Sequence, residues 1–132
     1  MGHTIKLAAL GAVAFMVLDG VWLGVLMKNF YRDQLAPIVR LADGRIAPNW
    51  PAAFVVYALL GTGIAVFVIP RASTVSSAAA YGALFGLVVY GVYDFTNYST
   101  LRQWPLALTL ADVAWGIAAS AACAAVVRSA VR

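Results

Sequence analysis

The stretch PLALTLADVAWGIAASAACAAVV, residues 105–127, holds one charged side chain, Asp112. A helix needs about 20 apolar residues to cross the hydrocarbon core of a bilayer, and this run is long enough. Working outward, Ile5 to Met27, Ala52 to Ile69 and Ala78 to about Leu101 have the same character. Hydrophobic residues make up 64% of the 132 positions and charged residues only 11%, well below the roughly 25% of a soluble domain. The sequence therefore predicts an all-α, four-helix transmembrane bundle: one domain over residues 1–132, with helices at about 5–27, 52–69, 78–101 and 105–127. An even number of spans puts both termini on the same side.

The first block is expected to stay in the protein as a span rather than be cleaved as a signal peptide. Its apolar run is too long for an h-region, it carries Asp19, and Ala36 is followed by Pro37, a poor cleavage context. Cys123, the one cysteine, reads as a small packing residue.

The net charge of +4 does not point to nucleic acid. Lys28, Arg32, Arg40, Arg45 and Arg102 fall on the loop side and Lys6, Arg71, Arg128 and Arg132 on the terminal side. Such an even spread suits lipid headgroups and leaves the positive-inside rule without a direction.

There is no glutamate, and three of the five aspartates, Asp19, Asp94 and Asp112, lie inside the apolar blocks. An acid there costs roughly 2.5–3.5 kcal/mol to insert, so its default reading is an inward-facing functional position. The dipeptides Trp50-Pro51 and Trp104-Pro105 mark one membrane surface, since Trp suits the headgroup region and Pro the first helical turn. Counted from that surface at about 1.5 Å per residue, all three acids lie roughly 10–12 Å deep. Their agreement predicts one polar site open to the loop side.

Helical spacing supplies its lining. Asp19 and Trp22 share a face of the first span with Phe15 and Leu23, and Asp112 and Trp115 repeat the arrangement on the fourth with Thr109 and Gly116. On the third span Gly86, Tyr90, Asp94, Asn97 and Tyr98 form a stripe, with Tyr93 beside it. The site is thus expected to comprise Asp19, Trp22, Tyr90, Tyr93, Asp94, Asn97, Tyr98, Asp112 and Trp115. The second span, uncharged but bearing Tyr57, reads as mainly scaffold. Gly20 with Gly24, Gly82 with Gly86, and Gly116 with Ser120 and Ala124 read as close-packing positions. The loop from Lys28 to Pro51 interleaves Phe30, Tyr31, Leu35, Ile38, Val39 and Leu41 with Arg32 and Arg40, as an interfacial lid would.

No Lys, Arg or His matches the depth of the acids, so at least one of them is expected to hold a proton. Carboxylate and amide oxygens of Asp19, Asp94, Asp112 and Asn97 would also suit a hard cation. No paired Asp-rich motif accompanies them, and no metal is assigned. His3 lies beyond the first span, which leaves a haem without an axial histidine and a hydrolytic triad without its base. An Asp acid with a second Asp as base acting on a lipid is conceivable chemistry. Nothing in the spacing identifies a reaction or a cofactor, and whether the chain is an enzyme stays open.

Taken together, the segments Leu18-Asp19-Gly20-Val21-Trp22-Leu23, Phe30-Tyr31-Arg32, Tyr90 through Leu101 with its core Asp94-Phe95-Thr96-Asn97-Tyr98, and Trp104-Pro105 with Asp112 and Trp115 resemble a family of small bacterial membrane proteins known as domain of unknown function 2177. The resemblance covers nearly the whole chain. It implies a multi-pass protein of the bacterial cytoplasmic membrane associated with lipid-modifying systems, and carries no catalytic role. The leading expectation is an Asp-rich pocket that binds a small amphipathic or lipid-like molecule. The alternatives are a proton- or cation-coupled transporter or channel subunit, and a packing subunit of a larger membrane complex. Expected partners are membrane lipids, the amphipathic ligand, and further copies of the chain or a membrane complex, but no nucleic acid.

Overall fold

In the computed structural model, which describes residues 1–131, about four-fifths of the chain is helical. Four helices are long and apolar enough to cross a membrane: α1 (Gly2–Leu26), α3 (Trp50–Arg71), α4 (Val75–Thr100) and α5 (Leu106–Ser129). A short helix, α2 (Lys28–Leu35), and a two-residue hairpin, β1 (Leu41–Ala42) with β2 (Arg45–Ile46), fill the long first connection. Asp43 and Gly44 both take positive φ at the hairpin turn. Asp and Gly are suited to this because left-handed backbone is least costly for a short polar side chain or none.

Side-chain caps set the helix starts on both flanks of the second span. Asn49 accepts from the Ala52 N–H at 3.2 Å, with Pro51 in the first turn, so α3 begins at Trp50. Thr74 and Ser77 form a reciprocal capping box that starts α4 at Val75. Two spans end loosely wound: α1 closes in a π turn over Trp22–Leu26, and α3 passes through π at Ile64–Val68 into 3-10 at Ile69–Arg71.

α4 and α5 form the closest pair, α1 packs along α3, and α1 meets α5 across the bundle. Glycine decides the two tight crossings. A Cβ on Gly61 would strike the backbone of Ala8 and approach the Ala12 nitrogen to 2.6 Å; one on Gly86 would strike the Gly116 carbonyl. Gly82, Gly86 and Gly116 thus lie at the interface their spacing suggested. Gly20 and Gly24 do not: nothing lies within 4 Å of a Cβ at either, and both face outward. The inward face of α1 is set instead by Leu7, Gly11, Phe15 and Asp19.

The bundle is apolar outside and divided within. Val13, Val17, Phe54, Leu59, Leu84, Val92, Leu110 and their neighbours are exposed, as lipid-facing side chains must be. Toward the end of the bundle remote from the long connection, Leu7, Phe15, Ile64, Val68, Ala119, Cys123, Ala124 and Val127 make a closely packed core. The interior nearer the connection holds the polar groups.

Candidate functional site

Asp19 is 9% exposed and Asp94 0%, while Asp112 is half-buried. Each acid comes from a different span, and each has a distinct set of partners.

Asp19 on α1 is held by two donors from two other helices. The Trp115 indole N–H donates to it at 2.7 Å from α5, and the Tyr57 hydroxyl donates at 3.0 Å from α3. Tyr57, on the span read as scaffold, is therefore a working member of the cluster. Its only sequence signal was its depth, seven residues into a span.

Asp112 on α5 accepts from the Tyr31 hydroxyl at 2.8 Å, and Tyr31 in turn accepts from the Trp22 indole N–H at 2.9 Å. Tyr31 belongs to α2, outside the spans, yet is only 6% exposed. Burial, and then the adjacent Asp112 charge, push its phenol above the ordinary tyrosine range, so it stays a donor. The connection between the first two long helices is thus tied to the aspartate cluster through one side chain.

Trp22 and Trp115 stack with ring centroids 4.5 Å apart and planes 2° from parallel. Each indole serves the acid of the opposite helix: Trp115 directly to Asp19, Trp22 through Tyr31 to Asp112. The Asp-x-x-Trp spacing on α1 and α5 therefore has a physical meaning, a reciprocal clamp across the α1–α5 contact.

Asp94 on α4 is the exception. Both of its oxygens are buried and neither has a hydrogen-bond partner. The α4–α5 register that sets Gly82 against Ala124, Gly86 against Ser120 and Tyr90 against Gly116 brings Asp94 opposite Asp112, and the two carboxyls interact; both groups are acceptors unless one carries a proton. Tyr90, two-thirds of the way along α4, packs its ring against Gly116 so closely that no Cβ fits there.

The rest of the expected site lies elsewhere. Tyr93 is 56% exposed and meets Trp104 edge-on at 5.8 Å. Tyr98 is 44% exposed and donates to none of the aspartates. Asn97 is half-buried, and with Tyr93 it lines a cleft of about 810 Å³. That cleft is formed by Leu35, Ile38, Val39, Arg40, Ile46, Ala47 and Pro48 of the long connection on one side and by Leu101, Arg102, Gln103 and Trp104 on the other. None of Asp19, Asp94 and Asp112 lines it. The acids cluster beneath Tyr31, and the hollow is lined by other residues. The expected Asp-lined hollow opening to the loop side finds no support in this cleft; beside the acids, the indoles of Trp22 and Trp115 and the phenols of Tyr31 and Tyr57 are joined to the carboxyls by hydrogen bonds, directly or through Tyr31.

Residues 4–128 match the family described as "Predicted membrane protein (DUF2177)". The chain belongs to this family. No curated protein and no solved structure matches it. The matched region spans all four long helices and the connection, so the acid cluster and the rim cleft both lie inside the DUF2177 domain.

Proposed function

We propose that this DUF2177 protein works in the bacterial cytoplasmic membrane, where it binds a small amphipathic, lipid-like molecule in the cleft between the long connection and the facing ends of α4 and α5. It does so in or beside a lipid-modifying system, as the family resemblance implies. The observation that carries the reading is the cleft itself. Its volume falls within the roughly 300–1,000 Å³ of small-molecule sites. Its walls are aliphatic, from Leu35, Ile38, Val39, Ile46 and Leu101, and its polar groups are few: the Asn97 and Gln103 amides, Arg40, Arg102, the Tyr93 phenol and the indole of Trp104. Such a lining accepts an apolar body and orients a polar end. The acid cluster then serves as the foundation on which the cleft is built, because Tyr31 fixes the connection that supplies one wall.

The test is mass spectrometry of lipids retained by protein extracted gently from its native membrane, with Val39→Trp as the comparison because an indole there fills the cleft. A species enriched over bulk phospholipid in wild type and lost from Val39→Trp supports the reading. Equal retention by both, or bulk phospholipid alone in wild type, ends it.

A further inference from the structure

Asp94 has no role in that reading, and its pairing with Asp112 is unusual enough to demand one. Asp94 is fully buried, both of its oxygens lack a donor, and the polar group facing it is another carboxyl. Two acceptors face to face gain nothing from each other, and two bare charges in an apolar interior repel strongly. The other titratable groups around the pair do not relieve this. Tyr31 on α2 spends its proton on Asp112 and Asp19 on α1 is already served by Trp115 and Tyr57. Tyr90 and Tyr93 on α4 lie near the pair without a hydrogen bond to either carboxyl, and among the described residues the one ion pair is Arg32 with Asp33 at the surface.

We propose that Asp94 and Asp112 are a proton-binding site holding one proton between them, and that Tyr31 couples its occupancy to the position of the extramembrane segment. With the proton bound, an O–H on Asp94 donates to Asp112, and Asp112 accepts from both Asp94 and Tyr31, so the two carboxyls no longer face each other as bare acceptors and only the second Asp94 oxygen is left without a donor. Two carboxyls sharing one proton is the arrangement that such proximity enforces. When the proton leaves to water, the O–H bond of Asp94 breaks and two carboxylates remain. Their repulsion separates α4 from α5 locally, Asp112 withdraws from Tyr31, and α2 with its hairpin loosens from the bundle. Rising pH therefore opens the segment and falling pH latches it. This inference is independent of what the cleft binds, since the pair lies outside the cleft lining.

The experiment is infrared spectroscopy of the full chain in lipid nanodiscs, comparing H2O with D2O to find the carbonyl stretch of a protonated carboxylic acid. Wild type should show such a band; Asp94→Asn and Asp112→Asn should each lose it, and Asp19→Asn should keep it. Absence of the band in wild type, its survival in both pair variants, or its loss in Asp19→Asn alone overturns the site without any assumption about variant folding. The coupling is read by tryptic cleavage at Arg40 and Arg45 in the hairpin. Cleavage of wild type should rise several-fold from neutral to alkaline pH, whereas Asp94→Asn, whose amide supplies a permanent donor to Asp112, should resist at both. The same pH dependence in wild type and Asp94→Asn overturns the coupling. A wild-type response set by sodium rather than by pH overturns the proton as the ligand.

Discussion

The indole N–H of Trp115 donates to the Asp19 carboxyl at 2.7 Å, joining the last span to the first across the middle of the bundle. A buried acid held this way depends on its donors, since removing one leaves an acceptor with nothing to replace it. Trp115→Phe keeps an aromatic ring against Trp22 and deletes the donor. Intramembrane hydrogen bonds average about 0.6 kcal/mol and reach about 1.7 in double-mutant cycles. The buried carboxyl places this bond near the upper end, so a loss of about 1.5 kcal/mol is expected in mixed-micelle unfolding. Tyr57→Phe should cost less, at the longer 3.0 Å bond. The double variant should cost more than the sum, because Asp19 would then have no donor. A strictly additive cycle would show that the two donors do not act on one acceptor.

Glycine substitutions separate the crossings from the lipid face. Overpacking costs typically about 1–3 kcal/mol, and most where the obstacle is backbone that cannot rotate away. Gly61→Ala and Gly86→Ala, each driving a methyl group into a facing carbonyl, should lie at about 3 kcal/mol. Gly20→Ala and Gly91→Ala, with open space around them, should be neutral or gain up to about 1 kcal/mol from better helix propensity. Unfolding measurements that rank Gly20 with Gly61 would contradict the packing of α1 on α3.

These two cases also show how much of the molecule could be read in advance. Four apolar blocks announce four long helices, because lipid tolerates little else. The repeated Asp-x-x-Trp pointed to the right faces of α1 and α5, since helical spacing fixes which side chains share a face. Gly20 and Gly24 misled because a four-residue interval says that close approach is permitted, not that a neighbour is there. Tyr31 was placed in the connection, but its burial depended on how α2 folds back over the bundle, which no local pattern encodes. Tyr57 had no charge beside it to draw attention. The cleft is the least legible feature, because its two walls, Leu35 to Pro48 and Tyr93 to Trp104, meet only through the tertiary fold.

Tyr31 is the one side chain of α2 that is buried, and its hydroxyl both donates to Asp112 and accepts from Trp22. Tyr31→Phe removes both bonds while keeping the edge-on ring contacts with Trp22 and Phe30. A net loss of about 1 kcal/mol multiplies the population of the released segment roughly fivefold. Trypsin should cut at Arg40 and Arg45 about fivefold faster than in wild type, with the helical content of the spans unchanged. Cleavage at the wild-type rate would mean that the connection is held by its apolar contacts alone.

Cys123 offers a probe of the opposite end of the core. It is 0% exposed on α5, and its Sγ lies 3.4 Å from the Gly11 carbonyl oxygen of α1, close to where Gly11 abuts Gly61 of α3. Burial holds a thiol neutral and inert, so a maleimide reaches it only when the helices part. An opening that costs about 3 kcal/mol slows labelling roughly 100-fold relative to protein unfolded in strong detergent. Gly61→Ala should recover most of that factor, because the methyl group lifts α1 from α3 and loosens the Gly11 contact with it. Tyr31→Phe, acting at the far end of the bundle, should leave the labelling rate unchanged. Equal acceleration by both variants would mean that the acid cluster and the packed core open as one unit, and the division between a polar half and a tight half would fail.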